Sequence, residues 1–133
     1  MKRGRVLVAV VAMLVTTACA SSNPRPVHSE FEDIPVPKGL SYQPDKSTVI
    51  ESPVVKAARL VYRGRVEPES LAVAMRTTLE ANGWRPVSST STATHGTTQV
   101  YEKGGNSLQV QLWEGLIFTY VELTASRALQ APK

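Results

Sequence analysis

The sequence predicts an α+β two-layer sandwich, with one helix packed on a mainly antiparallel sheet of four to five strands. Three observations carry the prediction. One stretch, 67–83, has helical apolar spacing between a proline-bearing start and an Asn-Gly stop. Several others show the period of two expected of strands, and Gly-bearing turns separate the later strands at hairpin spacing. The resulting order, β-α-β-β-β-β, suits sequential antiparallel pairing around a single helix.

The first predicted strand is Val54 to Arg65, with Ala58, Leu60 and Tyr62 on one face and Arg59, Val61 and Arg63 on the other. Glu67-Pro68-Glu69 then opens the helix. A proline loses nothing in the first turn, where its missing N–H has no partner, and carboxylates favour the positive end of the helix dipole. Leu71, Met75, Thr78 and Leu79 make one apolar stripe, and Asn82-Gly83 supplies the stop. Trp84 to Thr90 is the second strand, weakened at its start by Pro86. Eight of the eleven residues Ser88 to Thr98 are Ser or Thr, so a disordered loop and two Thr-rich strand ends about His95-Gly96 both fit.

Thr97 to Lys103 reads as the third strand, with Gly104-Gly105-Asn106 as a turn. Ser107 to Glu114 alternates cleanly: Leu108, Val110 and Leu112 to one side, Gln109, Gln111 and Trp113 to the other. Gly115 allows a tight connection to the fifth strand, Leu116 to Thr124. The fold is therefore expected within 47–124, with 125–133 as a C-terminal tail. One helix covers only part of five strands, so the other face must be solvated or covered by something else.

Upstream, Ala20 to Lys46 holds five of the chain's nine prolines and reads as a semi-rigid tether. Its Phe31, Ile34 and Val36 read first as parts of a solvated linker, with docking on the domain or a partner as the alternative. The first five residues carry Lys2, Arg3 and Arg5, and Val6 to Val15 is an unbroken apolar run. Ten apolar residues are too few to cross a hydrocarbon core that needs about 20. A basic start, a short apolar run and small residues after it describe an export signal.

The small residues are Thr16-Thr17-Ala18, followed directly by Cys19, the chain's single cysteine. This segment resembles the lipobox of bacterial lipoprotein precursors. The resemblance covers residues 1–20 and is silent on the domain downstream. It implies cleavage between Ala18 and Cys19, leaving 1–18 as signal peptide and 19–46 as lipidated cysteine plus tether. It further implies a diacylglyceryl thioether and an added N-acyl chain on Cys19. A single acyl chain binds membranes marginally, whereas two or more, at ~0.8 kcal/mol per buried CH₂, hold stably. Ala20 lacks the Asp that commonly retains lipoproteins at the inner membrane, so the periplasmic face of the outer membrane is expected, with an inner-membrane anchor as the alternative. An ordinary signal peptide cut after Ala20 is the other reading of the same residues.

Little in the chain points to catalysis. One cysteine permits no internal disulfide, and with two distant histidines, His28 and His95, it makes no Cys/His zinc site. There is no nucleophile elbow and no phosphate-binding glycine loop. A carboxylate pair would have to bring Glu102 and Glu122 together. The expectation is no enzyme and no cofactor beyond the acyl groups on Cys19.

The formal charge of +4 invites a nucleic-acid reading. Yet segment 47–124 balances seven basic residues against seven glutamates, and a phosphate-binding stripe is missing. The candidate interaction surface comprises Arg59, Arg63 and Arg65 with Trp113, Phe118 and Tyr120. Against it stand a merely solvated or edge-protecting arginine row, and an aromatic face covered by the tether or buried. These features lead to the expectation of a membrane-anchored, non-catalytic adaptor with an envelope protein partner. The alternative is a small-molecule or lipid-binding module with its pocket between helix and sheet.

Overall fold

The computed structural model describes Phe31 and residues 33–128. Its strands are β1 (Ser41–Tyr42), β2 (Thr48–Glu51), β3 (Val55–Gly64), β4 (Arg85–Thr92), β5 (Gly96–Lys103), β6 (Asn106–Glu114) and β7 (Thr119–Ala128). The helix α1 (Pro68–Ala81) follows β3. All seven strands form one antiparallel sheet, ordered β3-β7-β6-β5-β4, with β1 and β2 sharing the outer edge of β3.

The expected four- to five-stranded α+β sandwich is thereby corrected to a β-rich fold: among the described residues, a seven-stranded antiparallel sheet with a single α-helix. The two additional strands are β1 and β2, of two and four residues, separated by a 3-10 turn over Pro44–Lys46. Strands this short show no usable alternation, and Pro44 interrupts them. A side chain carries the ladder across the break. The Ser47 hydroxyl accepts the Val61 N–H at 2.9 Å and donates to the Gln43 carbonyl at 2.7 Å. The Gln43 N–H in turn reaches the Val61 carbonyl at 2.8 Å.

Helix α1 begins as its composition dictates. The Glu67 carboxylate accepts the Glu69 and Ser70 N–H groups at 2.8 and 2.7 Å, and Pro68 fills the first turn. The Ser70 side chain, followed by the Ser70 and Glu69 N–H groups, holds the Glu67 carboxyl below the usual carboxylate range. Leu71, Met75 and Leu79 are buried against the sheet, while Thr78 of the same stripe is half-buried.

The buried face of the sheet is built in cross-strand rows. Leu60, Leu123, Val110 and Gln99 stand in register, flanked by the rows Ala58, Ala125, Leu108, Tyr101 and Tyr62, Val121, Leu112, Thr97. Gln99 ties the layers together: its amide donates to the Ala72 carbonyl of α1 at 3.1 Å and its carbonyl accepts the Tyr101 hydroxyl at 2.9 Å. A buried amide is tolerated because both of its ends are bonded. At the β4–β5 turn Gly96 has φ +73°, and a Cβ there would fall on the Leu112 carbonyl. Only glycine suits that approach.

The rest of the core is supplied from the proline-rich segment. Phe31 and Ile34 are buried in the cluster that contains Leu71, Met75 and Leu123. Arg127 holds Phe31 from above, with its guanidinium 4.8 Å from the ring centroid, and ion-pairs with Asp33. The folded unit thus reaches back to Phe31 and forward through β7 to Ala128, beyond 47–124 on both sides. Phe31 and Ala128 lie at the end of the sheet marked by the Val55–Ala128 pair. The β6–β7 turn lies at the other end, beside Gly64 and Thr119.

Candidate interaction surface

The face of the sheet opposite α1 is where the sequence-predicted residues meet. Alternation places Arg59, Val61 and Arg63 of β3 there, with Tyr120 and Glu122 of β7 and Gln109, Gln111 and Trp113 of β6. Arg63, Tyr120 and Trp113 share one cross-strand row. The Trp113 and Tyr120 rings stack at 5.5 Å between centroids and 10° from parallel. The chain then turns tightly at Gly115, whose N–H donates to the Phe118 carbonyl at 2.8 Å. A Cβ at Gly115 would come within 2.8 Å of the Tyr120 ring, so this turn too requires glycine.

That turn brings Phe118 under the arginines. The Arg63 and Arg65 guanidiniums sit 4.7 and 5.4 Å from the Phe118 ring centroid. Lys46 adds a third cation, its ammonium 4.9 Å from the Tyr120 centroid. None of the three has a carboxylate partner among the described residues. Cations held against aromatic faces keep their charge available to an incoming anion while their stems are already ordered.

Arg59 differs from the other arginines. Its guanidinium pairs with Glu122 at 2.7 Å, and that hydrogen bond, with the attraction of the carboxylate, raises its pKa above the ordinary arginine value. The free cations therefore gather at the Gly64–Thr119 end. Beside them an open groove of about 570 Å³ runs between the β3–α1 connection and the β6–β7 turn. Arg65, Glu67, Pro68, Glu114 and Leu116 line it. Leu116 is fully exposed and Ile117 is 66 % exposed at the rim.

Sequence reasoning assembled Arg59, Arg63, Arg65, Trp113, Phe118 and Tyr120, and the structure places all six on this face and its rim. It missed Lys46, Leu116 and Ile117. The sequence pattern places Leu116 and Ile117 in a strand, whereas they form a turn, because a run of apolar residues has no period to decide between the two. Lys46 arrives through the unforeseen β1–β2 edge. Phe31, Ile34 and Val36 of the tether pack with the α1 cluster and leave the Trp113–Tyr120 stack uncovered by them.

No carboxylate pair forms from Glu102 and Glu122. Glu102 pairs with Arg85 and Glu122 with Arg59, on β5 and β7; Glu102 lies in the row of Ser126, so two strand spacings and four residues along the strand set the two backbones roughly 16 Å apart. His95 lies on the β4–β5 turn, its backbone N–H donating to the Thr92 hydroxyl. No cluster of three or more metal-ligating side chains occurs among the described residues. No helix among them is long and apolar enough to cross a membrane. Ala18, Cys19 and His28 lie outside the described residues. The chain matches no family model, no curated protein and no solved structure.

Proposed function

We propose that the protein is a lipid-anchored, periplasm-facing lipoprotein of the outer membrane that acts as a non-catalytic adaptor, binding a protein partner through the open face of its sheet. The observation that carries this reading is the convergence of Lys46, Arg63 and Arg65 on the Tyr120 and Phe118 rings, beside the Trp113 stack. Three unpaired cations next to ordered aromatics and exposed aliphatic side chains suit a partner that presents carboxylates around an apolar residue. Such a contact needs no cofactor and no reacting group.

A carrier for lipid or another small molecule would need space between helix and sheet. Leu71, Met75, Leu79, Leu108 and Val110 fill the centre of that layer, each no more than 1 % exposed, and the groove of about 260 Å³ at its β4 edge, between Arg76, Val87, Gln99 and Tyr101, is an open cleft rather than an enclosed apolar cavity. The adaptor reading is therefore preferred.

Two experiments test it. Palmitate labelling should mark the wild-type chain and not Cys19→Ser; label retained on the variant removes the lipid anchor from the proposal. A photo-crosslinking residue at Phe118 should capture one defined envelope protein in cells, and Arg63→Glu should abolish the adduct at unchanged protein level. Adducts that survive Arg63→Glu would take the partner off this face.

A further inference from the structure

The end of the sheet remote from the cation cluster carries a second apolar feature, at the β2–β3 hairpin. Ile50, Val54 and Val55 are 63 %, 61 % and 41 % exposed there. Ile50 pairs with Ala57, and Val55 lies two residues before it on the same face of β3, so these aliphatic groups are neighbours. The turn between them, Ser52-Pro53-Val54-Val55, contains no charged side chain.

The turn also hides its own backbone. The Ser52 hydroxyl accepts the Val54 and Val55 N–H groups at 3.4 and 3.0 Å and donates to the Val55 carbonyl at 3.0 Å. The Ser52 N–H reaches the same carbonyl at 2.9 Å, and Pro53 has no N–H to satisfy. A tip whose N–H donors are all bonded internally loses less on entering the bilayer interface than an ordinary polar turn, and the interface still hydrates its carbonyls. The nearest cation, Lys56, is already paired with Glu51 at 3.6 Å.

Its position matters as much as its chemistry. Phe31 is pinned in the core beside Arg127, at the same end of the sheet as this hairpin. Only eleven residues separate Phe31 from Cys19, a reach of at most about 40 Å. The β6–β7 turn lies a further ~30 Å away, the length of β7.

We propose that the β2–β3 hairpin is a membrane foot: Ile50, Val54 and Val55 settle into the interface of the bilayer that holds the Cys19 acyl chains, and Ser52 keeps the turn's amides satisfied there. The inference rests on the lipid-anchored reading above. The lipid chains supply the affinity, and the foot supplies the orientation. It stands the sheet on end, with Phe118, Arg63 and Arg65 facing away from the bilayer.

The test uses the full lipidated chain in phosphatidylethanolamine–phosphatidylglycerol vesicles. An acylated Cys19 leaves an introduced cysteine as the one free thiol, so Val54→Cys and Leu116→Cys can each carry a single fluorophore; both sites are exposed and spare the core. Headgroup-nitroxide lipid should quench the label at 54 at least threefold more than the label at 116. Ile50→Asp together with Val55→Asp should lower quenching at 54 while the protein still floats with the vesicles. Equal or reversed quenching on floating vesicles overturns the foot and leaves the anchor standing. Failure of the chain to float overturns both. Concentration-dependent excimer emission from pyrene at 54 in detergent, without lipid quenching in vesicles, would make a second copy the occupant and also overturn it.

Discussion

The indole of Trp113 stacks parallel to the phenol ring of Tyr120, offset, one pair before the β6–β7 turn on the open face, held there by the in-register pairing of β6 and β7. Such a ring pair is worth about 0.5–1.5 kcal/mol beyond its buried area. Trp113→Ala should therefore lower stability by about 1–2 kcal/mol in urea titration, within the range common for single substitutions. It should also remove a near-ultraviolet dichroism band while leaving the far-ultraviolet spectrum unchanged. An unchanged near-ultraviolet spectrum would mean the rings do not stack in solution.

Phe31 extends the core beyond the stretch that looks structured in the sequence. Phe31→Ala should cost about 3–5 kcal/mol, the usual range for a fully buried phenylalanine. A chain that starts at Ser47 should lose still more, because it forfeits Phe31, Ile34 and β1 together. Equal melting temperatures for that truncation and the full-length domain would place the segment outside the fold.

Gly96 and Gly104 form a matched pair of turn glycines with opposite expectations. Both have positive φ, but a Cβ at Gly104 meets nothing within 4 Å whereas one at Gly96 strikes the Leu112 backbone. Gly104→Ala should cost only the ~1–2 kcal/mol of a left-handed alanine. Gly96→Ala should cost clearly more and shift the amide signals of β5 and β6, readable by heteronuclear NMR.

Tyr62 supplies a pH signature. Burial, with a smaller effect from Tyr42 at 5.4 Å, pushes its phenol up to about 12. The folded state then holds this proton more tightly than the unfolded state, where tyrosine titrates near 10. Its contribution to stability is complete below pH ~10 and is lost as pH rises from there toward 12. Tyr62→Phe should flatten the fall in melting temperature over that window, and absorbance at 295 nm should show it removing one of the late-titrating phenols, leaving Tyr101, which burial also raises.

Much of the architecture was legible before the structure, for identifiable reasons. β6 alternates strictly, and its buried side is the one the period names; β3 follows the same period from Ala58 to Arg63 except at Val61, which faces away from α1 yet is also buried. The Glu67-Pro68 start of α1 was legible because capping is local chemistry. The strand count was not, because β1 and β2 gain their hydrogen bonds from β3 and from the Ser47 hydroxyl rather than from a pattern of their own. Gln99 was equally hidden: a polar residue enters the core only because Ala72 and Tyr101, far along the chain, offer it partners.

The candidate surface followed the same division. Trp113 and Arg63 could be assigned to a face by counting, but their row depends on β3 lying beside β7, which no local period specifies. The Lys46–Tyr120 contact depends on the same long-range pairing and on the broken edge strand as well.

The adjacency of β3 and β7 governs the order in which the domain can be completed. Strands β4 to β7 pair with their neighbours in sequence, yet β3 waits for a strand more than fifty residues later. During synthesis, the half of the sheet that receives Phe31 and Ile34 has no template until the last strand has left the ribosome. Closure thereby waits for β7: however early β3 is made, its inner edge stays unpaired and the core beneath it unsealed until residues 119–128 exist.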